Sequence, residues 1–232
     1  MNLAVDQFSK PSGVSRTKRN AASLSQAPFD LAEFNRALVD AAPIDIIQKS
    51  LDHFERPVLS TSFSAYSAAL LHMVHTVRPD ITVLWCDTGF NTPATYRFAE
   101  QLIDLFDLNI KIFVPQVSAA RLEAQYNGVP QPGTEAHDDF TQTVKLEPFA
   151  RAFEALTPDL WITGIRREET EYRKSQDIFT WDSKRAVTKL APTFHLSSLE
   201  LVDYLQRHDL PSEPDYNDPT KPEDNLECGL HY

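Results

Sequence analysis

A chain of 232 residues with 42% hydrophobic side chains is long enough to close the core of one α/β domain and too short for two full ones. Its 33 acidic residues outnumber 22 basic ones, for a net charge of -11, which argues against a general nucleic-acid binder; a small anion held by a local cluster of cations stays open. The two cysteines, Cys86 and Cys228, make neither a disulfide framework nor a zinc or iron–sulfur ligand set, so free thiols in a reducing cytoplasm are expected.

Residues 1–27, rich in Ser, Pro, Lys and Arg, show no sustained apolar period and are expected to form a flexible arm. They lack the apolar stretch of a secretory leader, and no run in the chain approaches the ~18 apolar residues of a membrane span. Residues 28–208 read as a single α/β domain. Apolar positions at Leu31, Phe34 and Leu38, then at Ile44, Ile46, Ile47 and Leu51, give two short helices by their three-to-four spacing. Short apolar runs at Pro57–Ser60, Ile81–Cys86 and Ile110–Val114 then alternate with helical patterns at Ala65–Val77 and Pro93–Phe106, the rhythm of βαβ units and a parallel, twisted sheet flanked by helices. Pro93 suits a first helical turn, where a missing N–H is harmless.

A further helix fits Thr143–Leu156 and a strand fits Leu160–Thr163. Residues 166–189 then carry seven basic side chains against five acidic ones, followed by a helix at Ser197–His208 with Ser197 or Ser198 as its cap. Residues 209–232 form an acidic, Pro-rich tail; Asp209–Glu227 holds four prolines, seven acids and one lysine, and reads as a poorly packed linker.

Four segments have the residue types for chemistry. Ser60-Thr61-Ser62-Phe63-Ser64-Ala65 follows the first strand and opens a helix, where hydroxyls and backbone N–H groups can hold an anion; a serine-rich helix cap is the plain alternative. Asp87-Thr88-Gly89 lies at the carboxyl end of the second strand, where open α/β sheets bind ligands, although an ordinary Asp-Thr-Gly turn would look the same. Gly164-Ile165-Arg166-Arg167-Glu168-Glu169, with Arg173, gathers guanidinium groups suited to phosphate or sulfate; a solvated charged loop competes with that reading, and Lys145 is equally ambiguous alone. Cys86, in a hydrophobic strand, is expected to be an inert core thiol. Cys228, in Glu227-Cys228-Gly229-Leu230-His231-Tyr232, reads instead as a nucleophile on a mobile arm, activated by His231 or the basic patch, with a dispensable surface thiol as the competitor.

Taken in order, these segments resemble the phosphoadenylylsulfate (PAPS) reductase family, which has the adenine-nucleotide α-hydrolase-like fold of the N-type ATP pyrophosphatases. The resemblance runs from about Pro57 to Leu210 and through the last six residues. Ser60-Thr61-Ser62-Phe63 stands at the family's modified phosphate loop and Asp87-Thr88-Gly89 at its nucleotide turn, with Pro93-Ala94-Thr95-Tyr96 after it. Lys145-Leu146-Glu147-Pro148 resembles its Lys-Val-x-Pro stretch, and Gly164 with Arg166, Arg167, Arg173 and Arg185 its anion-binding half. Glu227-Cys228-Gly229-Leu230-His231 matches its terminal signature.

The resemblance implies reduction of PAPS to sulfite and adenosine 3',5'-bisphosphate in sulfate assimilation, through an S-sulfocysteine on Cys228 with His231 beside it. It assigns the phosphate loop, the nucleotide turn, Lys145 and the anion-binding half to the substrate. It also implies no bound cofactor, and thioredoxin or glutaredoxin as the external reductant. Two cysteines cannot supply the four-iron cluster of the adenylylsulfate-reducing branch, so the cluster-free branch fits. A cytoplasmic homodimer is expected, with neither nucleic acid nor membrane as a partner. The alternative is a nucleotide-binding or adenylyl-transferring relative that has lost reductase activity. Family members carry a longer Tyr-x-Ser-Ile-Gly-Asp-like segment before the terminal cysteine; here Tyr216-Asn217-Asp218 is followed by only a short run, so the arm is short.

Overall fold

The computed structural model describes Ala27, residues 30–221 and Leu230. Six strands form one sheet: β1 (Pro57–Thr61), β2 (Thr82–Cys86), β3 (Ile110–Phe113), β4 (Leu160–Ile162), β5 (Phe179–Asp182) and β6 (Val187–Leu190). Their order is β3-β2-β1-β4-β6-β5, parallel except for the β5–β6 pair. The chain winds outward from β1 to β3, then returns to the other side of β1. The order therefore reverses between β1 and β4, and the loops leaving those two strands diverge to open a crevice at their carboxyl ends.

Strand alternation assigns each side chain to a layer. Leu59, Val83, Trp85, Leu160 and Ile162 face a core built with α1 (Leu31–Leu38), α2 (Pro43–Leu51), α3 (Ser67–Val77), α4 (Pro93–Phe106) and α9 (Ser198–Arg207). Val58, Leu84, Trp161 and Val187 face the opposite side, under Phe149 and Phe153 of α7 (Glu147–Leu156). A small third cluster, Leu122, Phe140 and Val144, joins α5 (Ala119–Tyr126) to α6 (Glu135–Thr141). Caps fix several helix starts. Asp30 accepts from two N–H groups of α1, Thr92 accepts from the Thr95 N–H at 3.1 Å, and Ser197 and Glu200 form a reciprocal capping box. On the outermost strand, Asn35 of α1 donates to the Phe179 carbonyl at 2.9 Å and accepts from the Phe179 N–H at 2.8 Å.

The structure differs from the sequence reading in four places. The helix expected at Ala65–Val77 begins at Ser67, because Ser64–Tyr66 form a turn in which the Ser67 N–H bonds the Ser64 carbonyl at 2.9 Å. The helix expected at Thr143–Leu156 is a π turn (Gln142–Leu146), which continues from α6, followed by α7. Pro148 has no N–H to offer the preceding turn, and the ladder is carried instead by the Glu147 N–H bonding the Gln142 carbonyl, five residues back. The basic stretch contains short α8 (Glu171–Lys174) and the β5–β6 hairpin, whose charged residues hide its alternation. The linker expected from Asp209 is packed as far as residue 221: Thr220 is buried, Ser212 donates to the Ala65 carbonyl at 2.9 Å, and His137 Nε2 donates to the Pro219 carbonyl at 3.2 Å. Composition does not reveal these anchors, since each lies far away in sequence.

Between α3 and α9, His72 Nδ1 lies 2.8 Å from the Tyr204 hydroxyl, and its ring centroid is 4.8 Å from that of His208. Burial first, then the neighbouring His208 and His75, lower the His72 pKa. The unfolded chain takes up that proton more readily, so stability is fully present above the unfolded histidine value of about 6.5 and falls as pH drops from there toward the lowered folded value. The urea midpoint should therefore decrease between about pH 7.5 and about pH 5, and His72→Gln should flatten that decrease.

Candidate active site

A cleft of about 400 Å3 opens where the strand order reverses. Ser60 and Thr61 line it from the end of β1 and Ser62 from just beyond, and Thr163, Gly164 and Arg166 line it after β4. Three of the hydroxyls already accept a hydrogen bond and keep their own O–H free to donate: Ser60 Oγ accepts from Trp161 Nε1 at 2.7 Å and Thr163 Oγ1 from the Ile165 N–H at 3.2 Å. Thr61 Oγ1 likewise accepts from the Phe63 N–H at 3.2 Å. The apolar wall is made by Leu84, Phe149, Trp161 and Leu230.

Cations enter the cleft already paired. Arg166, with its side chain 5% exposed, donates to Glu168 at 2.5 Å and to Glu169 at 3.3 Å, and lies 4.9 Å from the Tyr66 ring centroid. Arg173 pairs with the same Glu169. The Glu168 carboxyl is held below its usual range by the Ser198 hydroxyl and N–H at the start of α9, and by Arg166. Lys145, placed by the π turn and 11% exposed, is paired with Asp218, whose side chain is 6% exposed. Lys145 Nζ also donates to Thr220 Oγ1 at 3.1 Å, and Thr220 Oγ1 donates to Asp218 Oδ1 at 2.6 Å. Burial alone would raise the Asp218 carboxyl; Lys145 and Thr220 outweigh it and hold the carboxyl below its usual value.

The segment bearing Asp218 crosses the cleft as a strap. Besides Ser212 on Ala65 and Pro219 on His137, the Asp215 carbonyl accepts from Thr92 Oγ1 at 3.4 Å, and Tyr216, Asp218 and Lys221 line the cleft.

Of the expected site residues, Ser60, Thr61, Ser62, Lys145, Gly164, Arg166 and Arg173 converge on this cleft. Others do not line it. Phe63 is wholly buried with φ 54° and stands edge-on to Trp85 at 4.8 Å; its backbone turn shapes the loop. Asp87 Oδ1 is engaged by the Gly89 N–H at 2.9 Å, Asn91 Nδ2 at 2.9 Å and the Tyr96 hydroxyl at 2.8 Å, so it braces its own turn, with Thr88 buried beneath. Gly89 has φ +80°, a conformation a side chain would strain. Arg167 is exposed, and its N–H bonds the Phe194 carbonyl at 2.9 Å. Arg185 faces the adjoining wall, where it pairs with Asp182 at 2.7 Å. Cys228 and His231 lie outside the described residues.

Cys86 is a partly buried thiol that packs against the cluster under α7 and also reaches the cleft wall; burial pushes its pKa to about 12, leaving negligible thiolate near neutrality. Sequence reasoning missed Tyr66, Glu169, Thr193, Tyr216, Asp218 and Lys221. Only the adjacency of Glu169 to the arginine cluster gave a signal for any of them. Among the described residues, no group of three or more His, Cys, Asp or Glu side chains is arranged to hold a metal ion, and no helix is long and apolar enough to cross a membrane.

The arrangement suits a ligand with an apolar body and an anionic end, since an arriving phosphate or sulfate can take over cations that carboxylates now neutralise. Residues 56–218 match the family model described as a phosphoadenosine phosphosulfate reductase domain. A phosphoadenosine 5'-phosphosulfate reductase of Synechococcus sp. is 39% identical over 188 residues, 79% of each chain. A phosphate complex of phosphoadenylyl-sulfate reductase from Candida auris superposes with a TM-score of 0.68 at 17% identity, covering 84% of this chain and 90% of that one. The FMN adenylyltransferase of Candida glabrata has the same adenine-nucleotide α-hydrolase-like fold, with a TM-score of 0.55 at 12% identity, covering 82% of this chain and 62% of that one.

The Lys145–Asp218 pair makes a stability prediction. Lys145→Ala should cost about 3 kcal/mol or more by stranding a buried carboxylate, and adding Asp218→Ala should recover most of that loss in urea melts.

Proposed function

The chain belongs to the phosphoadenosine phosphosulfate reductase family, and on that premise we propose that it reduces PAPS to sulfite with release of adenosine 3',5'-bisphosphate, in sulfate assimilation. The Cys228 thiolate attacks the sulfonate sulfur. An S–S bond forms, the bond from sulfur to the bridging oxygen breaks, and the electron pair leaves on the phosphate, giving Cys228–S–SO3⁻ and the bisphosphate. A thiolate of thioredoxin or glutaredoxin then attacks the Cys228 sulfur. Sulfite leaves with two electrons, and the donor's second thiol resolves the mixed disulfide and restores Cys228.

The observation that carries this reading is that Leu230, two residues from Cys228, lies in the wall of the cleft holding Arg166, Arg173 and Lys145. Two residues span at most about 7 Å, so a short arm suffices when its far side is seated at the cleft. In this reading Arg166, Arg173 and Lys145 stabilise the charge developing on the departing phosphate, Ser60, Thr61 and Ser62 donate to its oxygens, and Phe149 and Trp161 flank the adenosine. His231 and the arginines favour the thiolate. The net charge of -11 argues against a nucleic-acid partner and agrees with a small nucleotide held by a local cluster of cations. The reading includes a cytoplasmic setting and a homodimer.

The decisive experiment mixes the reduced protein with PAPS and measures the intact mass. One added sulfonate, mapping to Cys228 and not to Cys86, released by thioredoxin and absent from Cys228→Ser, is expected; nucleotide binding without any adduct would overturn the reading. Arg166→Ala and Arg173→Ala should each weaken adenosine 3',5'-bisphosphate about tenfold or more by titration calorimetry, whereas exposed Lys49→Ala should leave affinity unchanged.

A further inference from the structure

Arg185 combines features that suit something other than an anion. Its side chain is 13% exposed, and Nη1 donates to Asp182 Oδ2 at 2.7 Å and to the backbone carbonyl of Leu230 at 3.1 Å. The guanidinium lies 5.3 Å from the Phe149 ring centroid, 5.6 Å from that of Trp161 and 5.9 Å from that of Phe153. Asp182 supplies the counter-charge, and its Oδ1 accepts from the Arg185 N–H at 3.0 Å, which fixes the start of the side chain as well as its end. Leu230 is 8% exposed and packs with the same three rings, together with Val58, Leu84 and Val187. One arginine thus holds a neutral main-chain carbonyl while the side chain of that residue fills the apolar wall of the cleft.

We propose that Arg185 is a positioning residue for sulfonate transfer: by clamping the Leu230 carbonyl, it fixes the chain two residues from Cys228 at the cleft wall and sets the approach of the thiolate without contacting the nucleotide. The proposal rests on Cys228 being the nucleophile. An anchor within about 7 Å of a nucleophile removes most of its translational freedom, and misplacement by about 1 Å can slow a reaction a hundredfold. Lysine is a poor substitute, because its compact ammonium lacks the planar guanidinium that lies over the three rings while one of its nitrogens bonds both Asp182 and the carbonyl.

The test separates binding from chemistry by measuring adenosine 3',5'-bisphosphate affinity by calorimetry and the single-turnover rate of sulfonate appearance on the protein at saturating PAPS. Arg185→Gln and Arg185→Lys should slow adduct formation by about 10- to 100-fold with affinity within about twofold of the wild type; Leu230→Ala should slow it likewise at saturating PAPS, and Leu230→Met should recover most of the rate lost in Leu230→Ala. A tenfold loss of nucleotide affinity with the saturated rate intact would make Arg185 a substrate ligand and overturn the proposal. Unchanged rates would overturn it too, as would rate and affinity falling together with the melting temperature. A wild type that forms no adduct would remove the Cys228 reading itself; normal wild-type transfer with unimpaired Arg185 variants would remove only the positioning role.

Discussion

Positive charge buried at the end of a parallel sheet must be balanced before any ligand arrives, because an ammonium or guanidinium out of water without a partner is severely destabilising. Much of this molecule is arranged around that requirement. Arg166 and Arg173 share Glu169, Arg166 also holds Glu168, and Glu168 is in turn held by Ser198, the first residue of α9. Lys145 draws Asp218 inward and with it a strap that would otherwise be an acidic, proline-rich run in solvent. The cleft is therefore closed electrostatically by the protein's own carboxylates. An entering phosphate replaces a carboxylate as counter-ion and does not fill an empty positive field, so ligand affinity is the difference between two ion pairs.

The polypeptide places these charges with ordinary devices. Reversal of strand order at β1 gives two diverging loops, one supplying hydroxyls and the other arginines. The π turn lets a helical segment carry Lys145 into the cleft and still reach Pro148 with its hydrogen bonding redirected. Beside the cleft, the hairpin of β5 and β6 has charged residues whose aliphatic stems and planar ends lie against aromatic rings, with Lys189 Nζ 5.3 Å from the Trp161 ring centroid and Arg185 over Phe149.

Local sequence was informative where local physics decides. Apolar runs located β1 to β4 and the amphipathic period located α1 to α4 and α9, because buried parallel strands and one-sided helices leave clear patterns. The β5–β6 hairpin was obscured because Lys184, Arg185 and Lys189 look solvent-facing until Trp161 is beneath two of them. The strap was obscured because strong attachments such as Asp218 to Lys145 span dozens of residues. In the site, the hydroxyl loop and Arg166 were legible from their position after strands. Asp87 was legible as a turn residue but not as a brace, since the Tyr96 hydroxyl reaches it only once α4 has formed.

Asn35 has a consequence beyond the site. Its side-chain amide binds both main-chain groups of Phe179 and so imitates one residue of a neighbouring strand. Sheet growth by strand addition past β5 would first have to evict α1, leaving the opposite margin, where Ile112 of β3 and the nearby Val114 are about half exposed, as the easier place for another chain to pair. A cut that removed α1 would present β5 with bare amides and carbonyls, and self-association of the folded domain would follow from a break far from any catalytic group.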